Sequence, residues 1–248
     1  LRDYGGYSMR DGATLKRGLL WRSGQHVDAT ADDLEAISNL HLATIIDLRS
    51  DSERELFPCA RHPRFAAEVR FASDNALGEN QAAPHVEAAR FVRTPEDAAR
   101  AMTHLYSLMP WRPYLVEIYR LYFEALANRE GASLLHCLAG KDRTGVAAAV
   151  LHHLMGVHPD DIMADYLLTN QAGNIDRRIA AGAKTVRSNF GPEMEESAVR
   201  VLMSVQEDFL IAAFDAMRER YGSVEAYARD VLGVDDAMVA RIASQLAC

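Results

Sequence analysis

Lysine is scarce in this chain. Of 27 cationic side chains in 248 residues only three are lysines, Lys16, Lys141 and Lys184. Arginine is therefore the default cation, and a lysine inside a motif stands out. Cysteine is equally scarce: Cys59, Cys137 and Cys248 lie far apart and are odd in number. That argues against a disulfide framework and for a reducing, cytoplasmic compartment. A basic surplus is missing too. A net charge of −8 disfavours nucleic acid as a partner, since its binders carry a basic patch or stripe. An anionic ligand would have to be attracted by a local positive pocket. No apolar run approaches the roughly 20 residues that span a bilayer, so no transmembrane segment is expected, and no secretory signal is visible. Neither C-x-x-C nor H-E-x-x-H occurs. His136, Cys137, His152 and His153 are close in sequence, but the adjacent His152 and His153 point to different sides of a helix, so no metal and no cofactor is expected.

What the chain does contain is an α/β pattern. The segment "GLLWRSG" reads as a short strand ending near Arg22, after a glycine-containing loop. Thr30 to Asp33 reads as a capping box that opens a helix with Leu34, Ile37 and Leu40 on one face. "LATIIDLRS" is a brief β-rich apolar run that stops at charges, a buried strand. Residues 72–112 are irregular, apart from a helix bounded by prolines in "TPEDAARAMTHLYSLMP". This segment is a candidate lid, because long loops in compact domains are often functional; peripheral packing is the other reading. Pro113 starts a helix with Leu115, Ile118, Tyr119, Tyr122 and Leu126 at helical spacing, ending at Asn128. "GASLLHC" is a short buried strand, a helix runs from Thr144 to Met155, and 160–248 is mostly helical. With 49% hydrophobic residues, no repeat and no linker, the expectation is one domain over 1–248. Its fold would be a central, mostly parallel sheet flanked by helices.

The stretch "LLHCLAGKDRTGVAAAV", Leu134 to Val150, puts a cysteine between a strand and a helix, with a glycine-containing loop between. The first N–H groups of a helix lack intrahelical partners, and the helix dipole adds partial positive charge. Loop amides over Leu138, Ala139, Gly140 and Lys141 can form a nest for phosphate oxygens, and Gly140 permits the sharp turn. Helix N-termini and nearby cations favour a thiolate over a thiol, which places Cys137 to attack phosphorus. Arg143 can hold two phosphate oxygens with its planar fork. Thr144 can donate its hydroxyl to the departing sulfur, and a cysteinyl-phosphate would divide one hard step into two easier ones. His136 is expected to orient the loop. Asp47 and Arg49, at the end of a strand, either support the loop or form a structural ion pair, and Arg22 has the same two readings. Arg177, Arg178, Lys184 and Arg187 read as a solvated helix face or an attractor for an acidic substrate.

Cys, five residues, Arg, Thr, preceded by His, resembles the loop of the cysteine-dependent protein tyrosine phosphatases. The form "HCLAGKDRTG" resembles the bacterial branch with an HC-x-A-G-K-D-R-T-G loop, which includes secreted phosphatases of mycobacteria and Listeria. "LRDYGGY", "GLLWRSG", "IIDLRSDSERE", "DYLLTN" and "YGSVEAYARDVLGV" resemble further landmarks of that branch, in the same order. The resemblance implies a tyrosine-phosphatase-like fold and hydrolysis of phosphotyrosine, with phosphoserine, phosphothreonine and phosphoinositides as further substrates. It leaves export as an effector open. It also suggests that the Lys141 ammonium, at the pocket rim, reaches a second phosphate on an inositol ring. Many relatives carry the general acid on a separate mobile loop. Here Asp142, inside the phosphate loop, is the leading candidate, and Asp74 is the mobile-loop alternative. A phospho-ligand binding module and a loop-cysteine sulfurtransferase are the rival classes. The first needs the cradle but not the thiol, and the second is disfavoured by Arg143 and Thr144 at this spacing.

Overall fold

The computed structural model describes residues 1–76, 92–128, 131–172 and 193–248, and, within 173–192, Asp176, Ile179, Ala180, Ala183, Lys184, Val186 and Arg187. Arg177, Arg178 and positions 77–91 of the candidate lid lie outside the described residues.

Five strands form one sheet: β1 (Arg2–Asp3), β2 (Leu20–Ser23), β3 (Leu42–Asp47), β4 (Glu68–Arg70) and β5 (Ala132–His136). Their order is β1-β2-β5-β3-β4; β1 is antiparallel to β2 and every other pairing is parallel. All of β5 is buried, as befits a central strand covered on both faces. The register sets Ser23 and Asp47 on either side of His136. Three parallel strands therefore end abreast, and the loop that leaves β5 opens at their carboxyl ends, the usual place for a ligand crevice in such sheets.

Local signals account for the elements beside this edge. Helix α1 (Ala31–Ser38) opens on a capping box in which Thr30 accepts from the Asp33 N–H and Asp33 accepts from the Thr30 N–H. A second box formed by Ser50 and Glu53 opens α2 (Asp51–Leu56), directly after β3. A third, from Thr94 and Asp97, opens α3 (Pro95–Leu108), with proline in its first turn. Helix α4 (Pro113–Asn128) starts at the expected proline and buries Leu115, Ile118, Tyr119, Tyr122 and Leu126.

Helix α5 (Asp142–Leu154) begins two residues before the sequence suggests, so Asp142 and Arg143 belong to its first turn. Val146 to Leu151 are all buried, which makes α5 a helix enclosed on every side. The C-terminal part is helical as expected: α6 (Pro159–Leu167), α7 (Thr169–Ala172), α8 (Glu196–Met203), α9 (Glu207–Tyr221), α10 (Val224–Leu232) and α11 (Asp236–Leu246). Helix α3 packs against α8 and α9, and its Tyr106 is fully buried. The described part of 72–112 thus contributes core packing as well as surface loop.

Candidate active site

The loop from Cys137 to Lys141 joins the central strand to the enclosed helix. Its carbonyls are drawn outward: Leu138 O accepts from Gln25 N at 3.1 Å, and Gly140 O accepts from Arg22 Nη2 at 3.3 Å. Turning carbonyls away lets the intervening amides converge on one anion. Gly140 has φ of 67°, and an added Cβ would lie 2.4 Å from the Ser23 carbonyl, so only glycine fits this crossing. The N–H groups of Asp142, Arg143 and Thr144 follow in the first turn of α5, where a helix supplies no carbonyl partners.

Cys137 is buried at the base of the loop. His136, before it, is wholly buried; its Nδ1 lies 3.4 Å from Cys137 O, and its ring stacks on His26 at 5.7 Å. Burial, against the opposing pull of Asp47, lowers its pKa to about 4. His136 is therefore neutral at pH 7 and serves as a hydrogen-bonding spacer. Asp47 Oδ2 stands 3.7 Å from His136 Nε2 and is held by Arg49, whose Nε and Nη2 lie 2.8 and 2.7 Å from the carboxylate oxygens. Arg49 also donates to Phe57 O at 2.6 Å. Asp47 and Arg49 form an ion pair that backs His136. Among the described residues the buried Thr144 hydroxyl has no hydrogen-bond partner, the Cys137 sulfur included.

Arg143 is clamped. Nη1 donates to Glu53 Oε2 at 2.6 Å and to Leu48 O at 3.1 Å, and Nη2 donates to Glu53 Oε1 at 2.8 Å. Burial opposes its charge, but Tyr114, Glu53 and Cys137 outweigh that and hold its pKa well above the ordinary value. Glu53 was not anticipated as part of the site. Its signal was present in the sequence as the third helical position of the Ser50 box, a place that favours glutamate for capping alone.

Asp142 and Lys141 differ from their sequence readings in surroundings. Asp142 Oδ1 accepts from Tyr106 Oη at 2.7 Å, and Tyr166 Oη donates to Tyr106 Oη at 2.8 Å. The pocket-rim place expected for the Lys141 ammonium is not the one it takes. Lys141 is only 4% exposed, and Nζ donates to Ser204 O at 3.1 Å and to Leu202 O, at the end of α8. The physical reason is that the final carbonyls of a helix lack intrahelical partners and attract a cation. Nζ also lies 3.4 Å from Asp142 Oδ1. Asp74 is placed elsewhere: its Oδ1 accepts from Asp51 N at 2.7 Å, at the start of α2. Arg22 pairs with Asp165 at 3.1 Å beside the loop, and Arg187 donates to Met194 O at 3.1 Å. His152 Nε2 meets Tyr4 O at 2.8 Å and His153 Nε2 meets Glu225 at 3.0 Å. Among the described residues no cluster of His, Cys, Asp and Glu could hold a metal ion, and no helix is long and apolar enough to cross a membrane.

The profile of the tyrosine phosphatase family matches residues 1–248. A Cupriavidus necator protein assigned as a tyrosine-protein phosphatase is 33% identical, over 96% of this chain and 83% of its own. The triple specificity protein phosphatase PtpB of Mycobacterium tuberculosis is 28% identical over 96% of this chain and 95% of its own. A tyrosine-protein phosphatase of Nostoc commune is 29% identical over 48% of this chain and 40% of its own.

Proposed function

Since the chain belongs to the tyrosine phosphatase family, whose members hydrolyse phosphomonoesters, we propose that it does so through a cysteinyl-phosphate on Cys137. The observation that carries this reading is the buried thiol at the base of an amide-rich turn, with a clamped guanidinium in the first turn of the helix that follows. The substrate phosphate sits on the amides of 138–143. A guanidinium has five N–H donors, and the bonds to Glu53 and Leu48 take three of them. Tyr114 also hydrogen-bonds the guanidinium, and a remaining N–H is proposed to meet a phosphate oxygen. The Cys137 sulfur attacks phosphorus in line, the P–O bond to the leaving group breaks, and Asp142 supplies its proton. Water then attacks the phosphocysteine, Asp142 takes a proton from it, and the sulfur leaves. The buried Thr144 hydroxyl, without another partner among the described residues, is the donor available to that sulfur.

Phosphotyrosine is the proposed substrate. The mycobacterial relative is named a triple specificity protein phosphatase, which supports a range wider than one ester; phosphoserine, phosphothreonine and phosphoinositides are the further substrates proposed. Residues 1–248 are proposed to act as one catalytic unit. The test is turnover of p-nitrophenyl phosphate. Wild type should be active, inhibited by vanadate and indifferent to EDTA. Cys137→Ser should show no turnover while still binding phosphate. Full activity in Cys137→Ser would remove the covalent mechanism.

A further inference from the structure

We propose that Tyr106 is a positioning residue for the general acid, and that the Tyr166–Tyr106 pair consigns the transferable proton of Asp142 to Oδ2. The inference rests on the reading of Asp142 as that acid. A carboxyl group can carry its proton on either oxygen, and only one of them can face a leaving group. Here the two oxygens are unequal. Oδ1 accepts from Tyr106 Oη at 2.7 Å and lies 3.4 Å from the Lys141 ammonium. No hydrogen bond or ion pair to Oδ2 is formed among the described residues.

The direction of the relay follows from its far end. Tyr166 Oη donates to Tyr106 Oη, so Tyr106 is left with its own proton to donate, and that proton points at Oδ1. Both hydroxyls stay protonated at any working pH. Burial, followed by Asp142 and Tyr166, holds the Tyr106 pKa well above its ordinary value, and burial and Asp142 do the same for Tyr166. An oxygen that receives a hydroxyl proton and faces an ammonium cannot also carry a proton aimed at Tyr106 unless both hydroxyls turn. The acidic proton therefore sits on Oδ2, and the Asp142 side chain, 21% exposed, is the partly open end of the relay.

The hydroxyls are fixed by packing. Tyr106 comes from α3, is wholly buried and lies against Phe209 of α9. Tyr166 comes from α6 and lies edge-on to Tyr106 at 6.3 Å. A Cβ on Gly145 would come within 2.9 Å of the Tyr166 ring, so glycine in the second turn of α5 admits the outer tyrosine. When the leaving-group bond to phosphorus breaks, its electron pair stays on the departing oxygen. That oxygen takes the proton from Oδ2, and the O–H pair remains on Asp142 as carboxylate. The Tyr106 bond to Oδ1 then stabilises the charge that forms.

The experiment measures kcat and KM over phosphate monoesters of graded leaving-group basicity, from p-nitrophenyl phosphate to alkyl phosphates. Tyr106→Phe should lower kcat on alkyl phosphates roughly ten- to a hundredfold, a share of the 10²–10⁴ that acid catalysis supplies. The loss on p-nitrophenyl phosphate should be several times smaller, and KM should change little. Tyr166→Phe should show the same slope with smaller losses; if Tyr106→Phe does not fold, this variant decides. In an Asp142→Asn background Tyr106→Phe should not steepen the dependence further. A uniform loss across the series would overturn the inference and leave a packing role. A steep dependence in Asp142→Asn with a flat one in Tyr106→Phe would overturn the inference alone. A flat series in Asp142→Asn would overturn the acid assignment and the inference with it.

Discussion

Arg143 must hold a full positive charge in a site that also keeps a cysteine out of water. Alone, a buried guanidinium pays a desolvation cost of several kcal/mol. Glu53 offsets it by meeting both terminal nitrogens, and the same contact fixes the plane of the fork before substrate arrives. Asp74 shows the opposite case, a residue whose type suggests chemistry and whose position suggests support. Its carboxylate is spent on the first N–H of α2, close to Ser73, which donates to Asp51 Oδ2 at 2.6 Å. Asp74→Ala is therefore expected to cost stability, about 0.5–2 kcal/mol as for the loss of other helix caps. Its effect on kcat should be the same for p-nitrophenyl and alkyl phosphates. Thermal denaturation and the two kcat ratios check this; a loss confined to alkyl phosphates would make Asp74 the acid and 72–112 a catalytic lid.

Three secondary-structure elements hold the loop, each by a different kind of bond. Helix α2 is six residues long and buries none of them, so packing is not why it exists. Its capping box and Glu53 make it a bracket for Arg143. Helix α8 receives the Lys141 ammonium on its last carbonyls, and α3 supplies Tyr106. The adjacent Lys141 and Asp142 are thus gripped from α8 and α3, two helices that pack on each other. Glu53→Gln separates bracket from helix. Glutamine also completes a capping box, so the start of α2 is kept, but the buried Arg143 charge is left without its partner and stability should fall by about 3–5 kcal/mol, as for other buried pairs broken on one side. Arg143 loses its charged partner and its fixed plane, and kcat/KM on p-nitrophenyl phosphate should fall on the order of 10²-fold, as for a small misplacement of a catalytic group. In an Arg143→Met background, which removes the charge, Glu53→Gln should cost little further melting temperature; an undiminished loss there would show that Glu53 serves the helix and not the arginine.

At the scale of the molecule, distant motifs meet at one buried carboxylate. Asp165, from "DYLLTN", binds Arg2 of "LRDYGGY" at 3.0 Å, Arg22 of "GLLWRSG" at 3.1 Å and Tyr7 at 3.1 Å. Arg22 then reaches Gly140 O, so the N-terminal strand, α6 and the phosphate loop share one network. Burial alone would raise the Asp165 pKa; Arg2 and Arg22 outweigh it and depress it below the ordinary carboxylate value. A depressed folded pKa contributes stability that is complete above the unfolded value and is lost as pH falls through the folded one. Asp47 has the same sign, because the Arg49 bonds and His136 overcome its burial. Stability should therefore start to fall below about pH 6.5, where unfolded histidines take up protons that buried His136 refuses down to about 4, and fall further below about 4, where unfolded aspartates also bind protons in preference. Asp165→Asn should lower stability at pH 7 by about 3–5 kcal/mol, since it leaves buried arginine charge without its partner. It should also flatten the acid limb. Denaturant unfolding at pH 7, 5 and 3.5 tests both; an unchanged acid limb would assign the acid sensitivity to other carboxylates.

Legible from the amino acids alone is what depends on neighbours along the chain. The capping box at Thr30, the proline-bounded helix after Thr94, Pro113 at a helix start, the apolar run of β5 and the spacing of Cys137 from Arg143 are local, and each is legible because its physical cause lies within a few residues. The order of the landmark motifs was legible too, but not why they recur together. Only the tertiary structure put Ser23 and Asp47 on either side of His136 and carried Arg2 to Asp165. It also chose Glu53, from among several acids of α2, as the partner of Arg143, and brought Tyr106 to Asp142 across 36 positions. It turned Lys141 from the expected rim toward α8, because unpartnered helix carbonyls draw a buried ammonium. These are long-range pairings, set by which faces of the sheet and helices pack. A spacing rule cannot encode them, because the packed geometry, and not the distance along the chain, decides which polar groups lose water together and must satisfy one another.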